Sequence, residues 1–175
     1  MLRRHSRDGA MTAADGTKLL FDGKLFADYF QIYLRCAATM ALPEIWDDAI
    51  VAQRVSRGPG SLVISTARNM TVPLRVLLHA SRPALDPAGF DHLVEASLEV
   101  PSGQLVIAGL TEEPADDHAV PPGRLGALVG FQGLGTLSPD GLDGHDRYAV
   151  HLWPGAAVGG QVVTVHRQWR EDLPA

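Results

Sequence analysis

Cysteine is nearly absent from this chain: Cys36 is the single one in 175 residues. No intrachain disulfide can form, and a zinc site built on thiolates is excluded. An excess of positive charge is lacking too. Fifteen Lys and Arg stand against twenty Asp and Glu, a formal net charge of −5 with His neutral. Such a chain has little non-specific attraction for a phosphate backbone and suits a basic partner better. No stretch approaches the roughly twenty apolar residues that a membrane helix needs. The start, "MLRRHSRDGAMTAADGT", has the arginines of a signal peptide without the apolar segment that must follow. These absences predict a soluble, cytoplasmic protein with neither nucleic acid nor membrane among its partners.

Catalytic signatures are missing as well. There is no G-x-S-x-G elbow, P-loop, S-x-x-K or H-E-x-x-H, and "GFQGLG" does not have dinucleotide-fingerprint spacing. Cys36 ends an apolar run, which suits a buried inert thiol better than a nucleophile. His79, His151 and His166 fall late in strand-like segments, where a hydrogen-bonded or solvated imidazole is expected. The expectation is a non-enzyme without a cofactor. A hydrolase with scattered catalytic residues is the third alternative, since a triad needs no sequence proximity.

What is present is an alternation of period two. In "VEASLEV", Val94, Ala96, Leu98 and Val100 point one way while Glu95, Ser97 and Glu99 are expected to meet water. Phe26, Asp28, Phe30, Ile32 and Leu34 share one face of a predicted extended segment, with Ala27, Tyr29, Gln31, Tyr33 and Arg35 on the other. "SLVIST", "PLRVLLHA", "QLVIAG", "RLGALVGF", "RYAVHLW" and "QVVTVH" repeat the pattern, separated by Gly, Pro, Asp and Ser clusters. "VPSG" before Gln104 is short enough to close a hairpin. One stretch breaks the alternation. "LPEIWDDAIVAQRV" places Pro43 at a first helical position and Ile45–Ala49 and Trp46–Ile50 at i,i+4 spacing, which predicts a short helix. "LDPAGFDHLV" has room for one further turn. About eight short strands with one or two helical turns predict an all-β fold, a sandwich of two antiparallel sheets. The polar, aperiodic residues 1–16 read as a flexible tail, with Met11 an alternative start, and 17–175 as a single sandwich domain.

Two segments carry candidate sites. Asp140, Asp143 and Asp146 stand at D-x-x-D-x-x-D spacing, which fails the EF-hand pattern of alternating ligands with a terminal Glu. Pro139-Asp140-Gly141 and Asp143-Gly144 are turn signals, so a turn is the favoured reading, and a Ca²⁺- or small-ligand-binding module centred on these aspartates is the second function considered. Trp46, followed by Asp47 and Asp48, sets a large apolar residue beside exposed acids. Such a segment serves as a partner contact, or else Trp46 plugs one end of the sandwich.

Four stretches in order, "FADYFQIYL", "IWDDAIVAQRVSRGPGSLVIST", "EASLEVPSGQLVIAG" and "VPPGRLGALVGF", resemble the layout of the competence protein J family. The matching positions are Tyr29, Phe30, Gln31 and Tyr33; Trp46, Asp47 and Gln53; Gly58, Pro59, Gly60, Ser61 and Leu62; and Val100 and Pro101. The resemblance spans most of Phe26 to Phe131 and leaves "DGLDGHDRYAVHLWPG" outside it. It implies a small acidic β protein that acts in the cytoplasm by protein contact, in that family as an inhibitor of a DNA-entry nuclease. Together these readings predict a regulatory binding protein for a protein partner, a basic nuclease among the candidates, with self-association left open.

Overall fold

The computed structural model describes residues 16–39, 47–114, 117–155 and 162–167. The predicted tail lies outside these, Gly16 apart, as do Pro43 and Trp46. Among the described residues there are eleven strands, more than the eight or so expected: β1 (Lys18–Phe26), β2 (Gln31–Cys36), β3 (Val55–Gly58), β4 (Ser61–Ser65), β5 (Thr71–Leu78), β6 (His92–Val100), β7 (Gln104–Gly109), β8 (Asp117–Ala119), β9 (Gly123–Gln132), β10 (Arg147–Pro154) and β11 (Val163–Arg167). They form two sheets, one of six strands in the order β1-β5-β10-β9-β6-β11 and one of five in the order β3-β4-β2-β7-β8. The two-sheet architecture is the expected one. All pairings are antiparallel except that of β5 with β10, which is parallel.

Alternation explains the core. Val94, Ala96, Leu98 and Val100 of β6 all face inward, beside Leu125, Ala127 and Val129 of β9 and Val72, Leu74 and Val76 of β5. Opposite them stand Ile32 and Leu34 of β2, Leu62 and Ile64 of β4, and Leu105 and Ile107 of β7. Each such aliphatic side chain contributes about 1.5–3 kcal/mol on burial, and their number accounts for a stable interior without disulfides.

Three local expectations need correction. Val100 and Gln104 do not flank a hairpin: β6 lies in the six-stranded sheet and β7 in the five-stranded one, so the "VPSG" turn carries the chain across the core. The segment Phe26–Leu34 is not one strand, because a 3-10 turn at Asp28–Phe30 interrupts it, with Tyr29 and Phe30 at φ of 52° and 62°. Glu95 and Ser97 do not meet water; both are buried, and of the three polar residues of "VEASLEV" only Glu99 is exposed. The reason is long-range. The segment preceding β6 lies over the outer face, where Phe90 rests on Gly130, whose missing side chain leaves the room. Trp153 occupies the matching slot at Gly126. Arg82 then reaches over Trp153 and pairs with Glu95 at 2.6 Å.

The helix forms as α1 (Asp48–Gln53), shorter than the predicted stretch and followed directly by β3. Asp47 caps it, its Oδ1 accepting from the Ile50 amide at 2.8 Å. The second expected turn is a 3-10 turn at Pro87–Gly89. No helix among the described residues is long and apolar enough to cross a membrane.

Candidate functional site

Strand pairings bring most of the singled-out residues to one end of the sandwich. Phe26 stands opposite Thr71, Gln31 opposite Ser65, Ile32 opposite Gly109, His92 opposite Phe131 and Arg147 opposite Gln132. The connections that leave this end therefore share it, from α1 at one edge to Leu110–Pro114 at the other: Ala27–Phe30, α1 with Arg54, Thr66–Met70, Leu110–Pro114 and Gly133–Asp146.

Hydrogen bonds lock these connections together. At the exit of β4, the Ser65 amide donates to the Arg54 carbonyl at 2.9 Å and the Thr66 amide to the Phe30 carbonyl at 2.8 Å. Ala27, fully buried, donates its amide to the Met70 carbonyl at 3.1 Å. His92 ties α1 to β6 through its Nε2, 2.9 Å from the Gln53 carbonyl, and its ring packs against Phe131. Burial first, and then repulsion from Arg167, Arg54 and His166, holds that imidazole below its usual pKa despite the bond to Gln53.

The acidic segment divides in two. Asp140 and Asp143 belong to an exposed turn: the Ser138 hydroxyl donates to Asp140 Oδ1 at 2.5 Å and accepts from the Asp143 amide at 2.9 Å. The Leu142 amide also donates to Asp140, and these bonds hold its carboxyl below the usual range. Asp146 is different. It is buried, its Oδ1 takes the Arg68 Nε hydrogen bond at 2.6 Å, and its Oδ2 takes the Tyr148 hydroxyl at 2.7 Å. Tyr148 in turn accepts from the Ala67 amide, and burial raises its pKa. Arg68 also donates to the Leu142 carbonyl at 2.9 Å, so one buried guanidinium pins the whole loop. The three aspartates do not converge, and among the described residues no group of three or more His, Cys, Asp or Glu is placed to hold a metal ion.

Of the predicted contact residues, Asp47 and Asp48 lie exposed on this end, Asp47 as the helix cap. Sequence reasoning missed Glu112 and Glu113, exposed on the turn after β7. The signal was available as "EEPADD", an acid run between two strands. Two grooves flank this turn. One, of about 450 Å³, is lined by Phe21, Lys24, Leu25, Glu112, Glu113 and Pro114. The other, of about 280 Å³, adds Tyr33, Arg35 and Leu110. Six exposed carboxylates (Asp47, Asp48, Glu112, Glu113, Asp140, Asp143) thus share an end whose exposed cations are Lys24, Arg147 and Arg167 among the described residues. Arg54 and Arg68 are buried there. The field at this end is negative.

Reactive groups lie elsewhere. Cys36 ends β2 buried at the opposite end, its Sγ 3.1 Å from Ser102 Oγ. Burial pushes its thiol up, but hydrogen bonds from Ser102, Ala38 and Thr39 outweigh this and leave the pKa lowered. His79 Nε2 lies 2.9 Å from His151 Nδ1, and His79 Nδ1 lies 3.1 Å from the Thr17 hydroxyl. The two rings serve each other as partners.

No protein-family model and no curated protein matches the chain. Solved structures do share its fold. ComJ from Bacillus subtilis, an inhibitor of the DNA-degrading activity of NucA, superposes with a TM-score of 0.62 at 14% identity, covering 78% of this chain and 97% of ComJ. The protein of crocagin biosynthetic gene J superposes with a TM-score of 0.53 at 20% identity, covering 79% of this chain and 97% of that one.

Proposed function

We propose that this chain is a regulatory protein without enzymatic activity, which acts by laying its acidic end over a basic surface of a protein partner, a DNA-degrading nuclease being the partner class best supported. The observation that carries the reading is the gathering of six exposed carboxylates from three separate connections at one end. A nuclease must attract a polyanion, so its active face is basic, and complementary charge speeds encounter with an acidic cover. The shared fold with ComJ supports the same reading, since that protein inhibits a nuclease. Asp47, Asp48, Glu112 and Glu113 are the proposed contact carboxylates, with Trp46 beside them in the sequence.

The test uses the host's basic proteins, those retained on a cation exchanger, as the source of nuclease. Purified chain added to that fraction is expected to stop degradation of plasmid DNA, with protection fading as salt rises. Degradation that continues at a molar excess of the chain would contradict the proposal.

A further inference from the structure

Tyr29 and Phe30 are the least economical residues in the fold. Both adopt a left-handed backbone, and both expose their rings, at 69% and 47%. A side chain with a Cβ is disfavoured in this region, and aromatic rings held in water return nothing to offset it. Neighbours hold the conformation in place: the Phe30 amide donates to the Ala27 carbonyl at 3.0 Å, the Tyr29 amide to Asp28 Oδ1 at 3.1 Å, and the Phe30 carbonyl accepts from Thr66. Glycine would satisfy every one of these backbone bonds. Strained positions that persist because the surroundings over-determine them concentrate at binding sites.

Their company points the same way. Among the described residues, seven large apolar side chains are exposed, and five of them (Tyr29, Phe30, Val51, Leu110 and Leu142) lie on this end. Exposed carboxylates flank three of them in the chain, Asp47 and Asp48 before Val51, Glu112 and Glu113 after Leu110, and Asp140 and Asp143 on either side of Leu142, and they stand at both edges of this end. A few apolar anchors within a charged rim is the anatomy of a protein contact whose energy is concentrated in the anchors.

We infer that the Tyr29–Phe30 turn is the principal anchor of this end, and that its occupant is an arginine- or lysine-bearing surface of the basic protein partner. The aliphatic stems of those side chains lie on the two rings while their charged heads reach the rim carboxylates. Aromatic faces attract such cations directly, and the stems bury apolar area against them. This inference rests on the function proposed above and assigns its energy to residues outside the acidic set.

The same nuclease fraction tests it with two kinds of variant. Tyr29→Gly/Phe30→Gly removes both rings and suits the left-handed backbone. It is expected to melt no lower than the wild type and to lose about tenfold or more in inhibitory potency, as loss of an anchor does. Tyr29→Asn/Phe30→Asn, which tolerates the same backbone, is expected to behave alike. Glu112→Lys/Glu113→Lys is expected to weaken inhibition and flatten its salt dependence. If the glycine and asparagine forms inhibit as the wild type does while the lysine form does not, the anchor is overturned and the acidic contact stands. Variants that melt well below the wild type would show that the rings are structural, which also overturns it. If the wild type itself inhibits nothing, both readings fall.

Discussion

The two ends of the sandwich solve the same chain-reversal problem in opposite ways. At the end where β2 finishes and β4 begins, every left-handed residue among those described is a glycine: Gly16, Gly60, Gly103, Gly123 and Gly155. At the acidic end Gly133 and Gly141 share that role with Tyr29, Phe30 and Arg54. At the glycine end Arg124 pairs with Glu99 at 2.5 Å, an exposed pair whose attraction solvent screens to little effect, and Arg57 lies exposed there too. The acidic end instead buries Arg68 against Asp146 and leaves six carboxylates exposed. One end turns on unstrained glycines. The other holds strained backbone, exposed rings and an unbalanced field, the combination expected where selection acts on contact rather than on folding.

The largest effect that can break this contrast lies at Asp146. Asp146→Ala leaves the Arg68 guanidinium buried without its counter-charge and the Tyr148 hydroxyl without its acceptor. About 3–5 kcal/mol of stability should be lost, read from urea unfolding. A loss below 1 kcal/mol would mean that water reaches the pair and that the loop is not pinned from within.

Acid is expected to act through histidines as well as carboxylates. Burial, and then repulsion from His79, holds the His151 imidazole at about 4 against an ordinary 6.5. Between those values the unfolded chain binds a proton that the folded one refuses, so stability falls as pH falls. By pH 5 the loss from His151 alone, reduced by the solvent that reaches its half-buried ring, is about 1 kcal/mol. Denaturant titrations between pH 7 and 5 should show it, and His151→Gln should flatten the curve. An unchanged slope would remove His151 from the account.

A matched pair of substitutions sharpens the comparison of backbones. Gly103→Ala puts a Cβ on a residue at φ +68° and 3.1 Å from the Val120 carbonyl, so it should cost about 1–2 kcal/mol. Tyr29→Gly relieves the same kind of strain and should leave stability unchanged or slightly raised, the relief set against the added freedom of glycine when unfolded. Equal losses at both positions would erase the distinction between the ends. The smallest effects belong to the helix. Asp48→Lys, an exposed change, should stay within about 0.5 kcal/mol. Asp47→Lys also removes the cap on the Ile50 amide and should cost about 1 kcal/mol. The two neighbours, alike in sequence, are thus separable in a thermal melt.

The fold was legible because its signal is local: alternation in "VEASLEV" names the inward residues of β6 without any knowledge of their partners. Its exceptions come from contacts that no local pattern encodes. Glu95 is buried by Arg82 and a segment laid over the outer face, and Asp146 is buried by Arg68, seventy-eight positions earlier in the chain. The Asp28–Phe30 turn was hidden because Tyr and Phe favour strands, and nothing in their identity announces a left-handed backbone. Of the site, Asp47 and Asp48 stood out as charges beside a tryptophan. Glu112 and Glu113 formed as plain a run, but that they share an end with Asp47 and Asp48, at the opposite edge of the sandwich, emerges only from the strand order β3-β4-β2-β7-β8.

The central claim, that the acidic end covers a basic nuclease, is tested most directly by measuring inhibition of plasmid degradation by the host's basic nuclease fraction across a salt series, for the wild type beside Glu112→Lys/Glu113→Lys. The wild type is expected to inhibit at close to one molecule per nuclease, with potency falling steeply as salt rises. The double variant should be weaker at low salt and nearly indifferent to salt. Inhibition by both forms with the same potency and the same salt dependence would contradict the account.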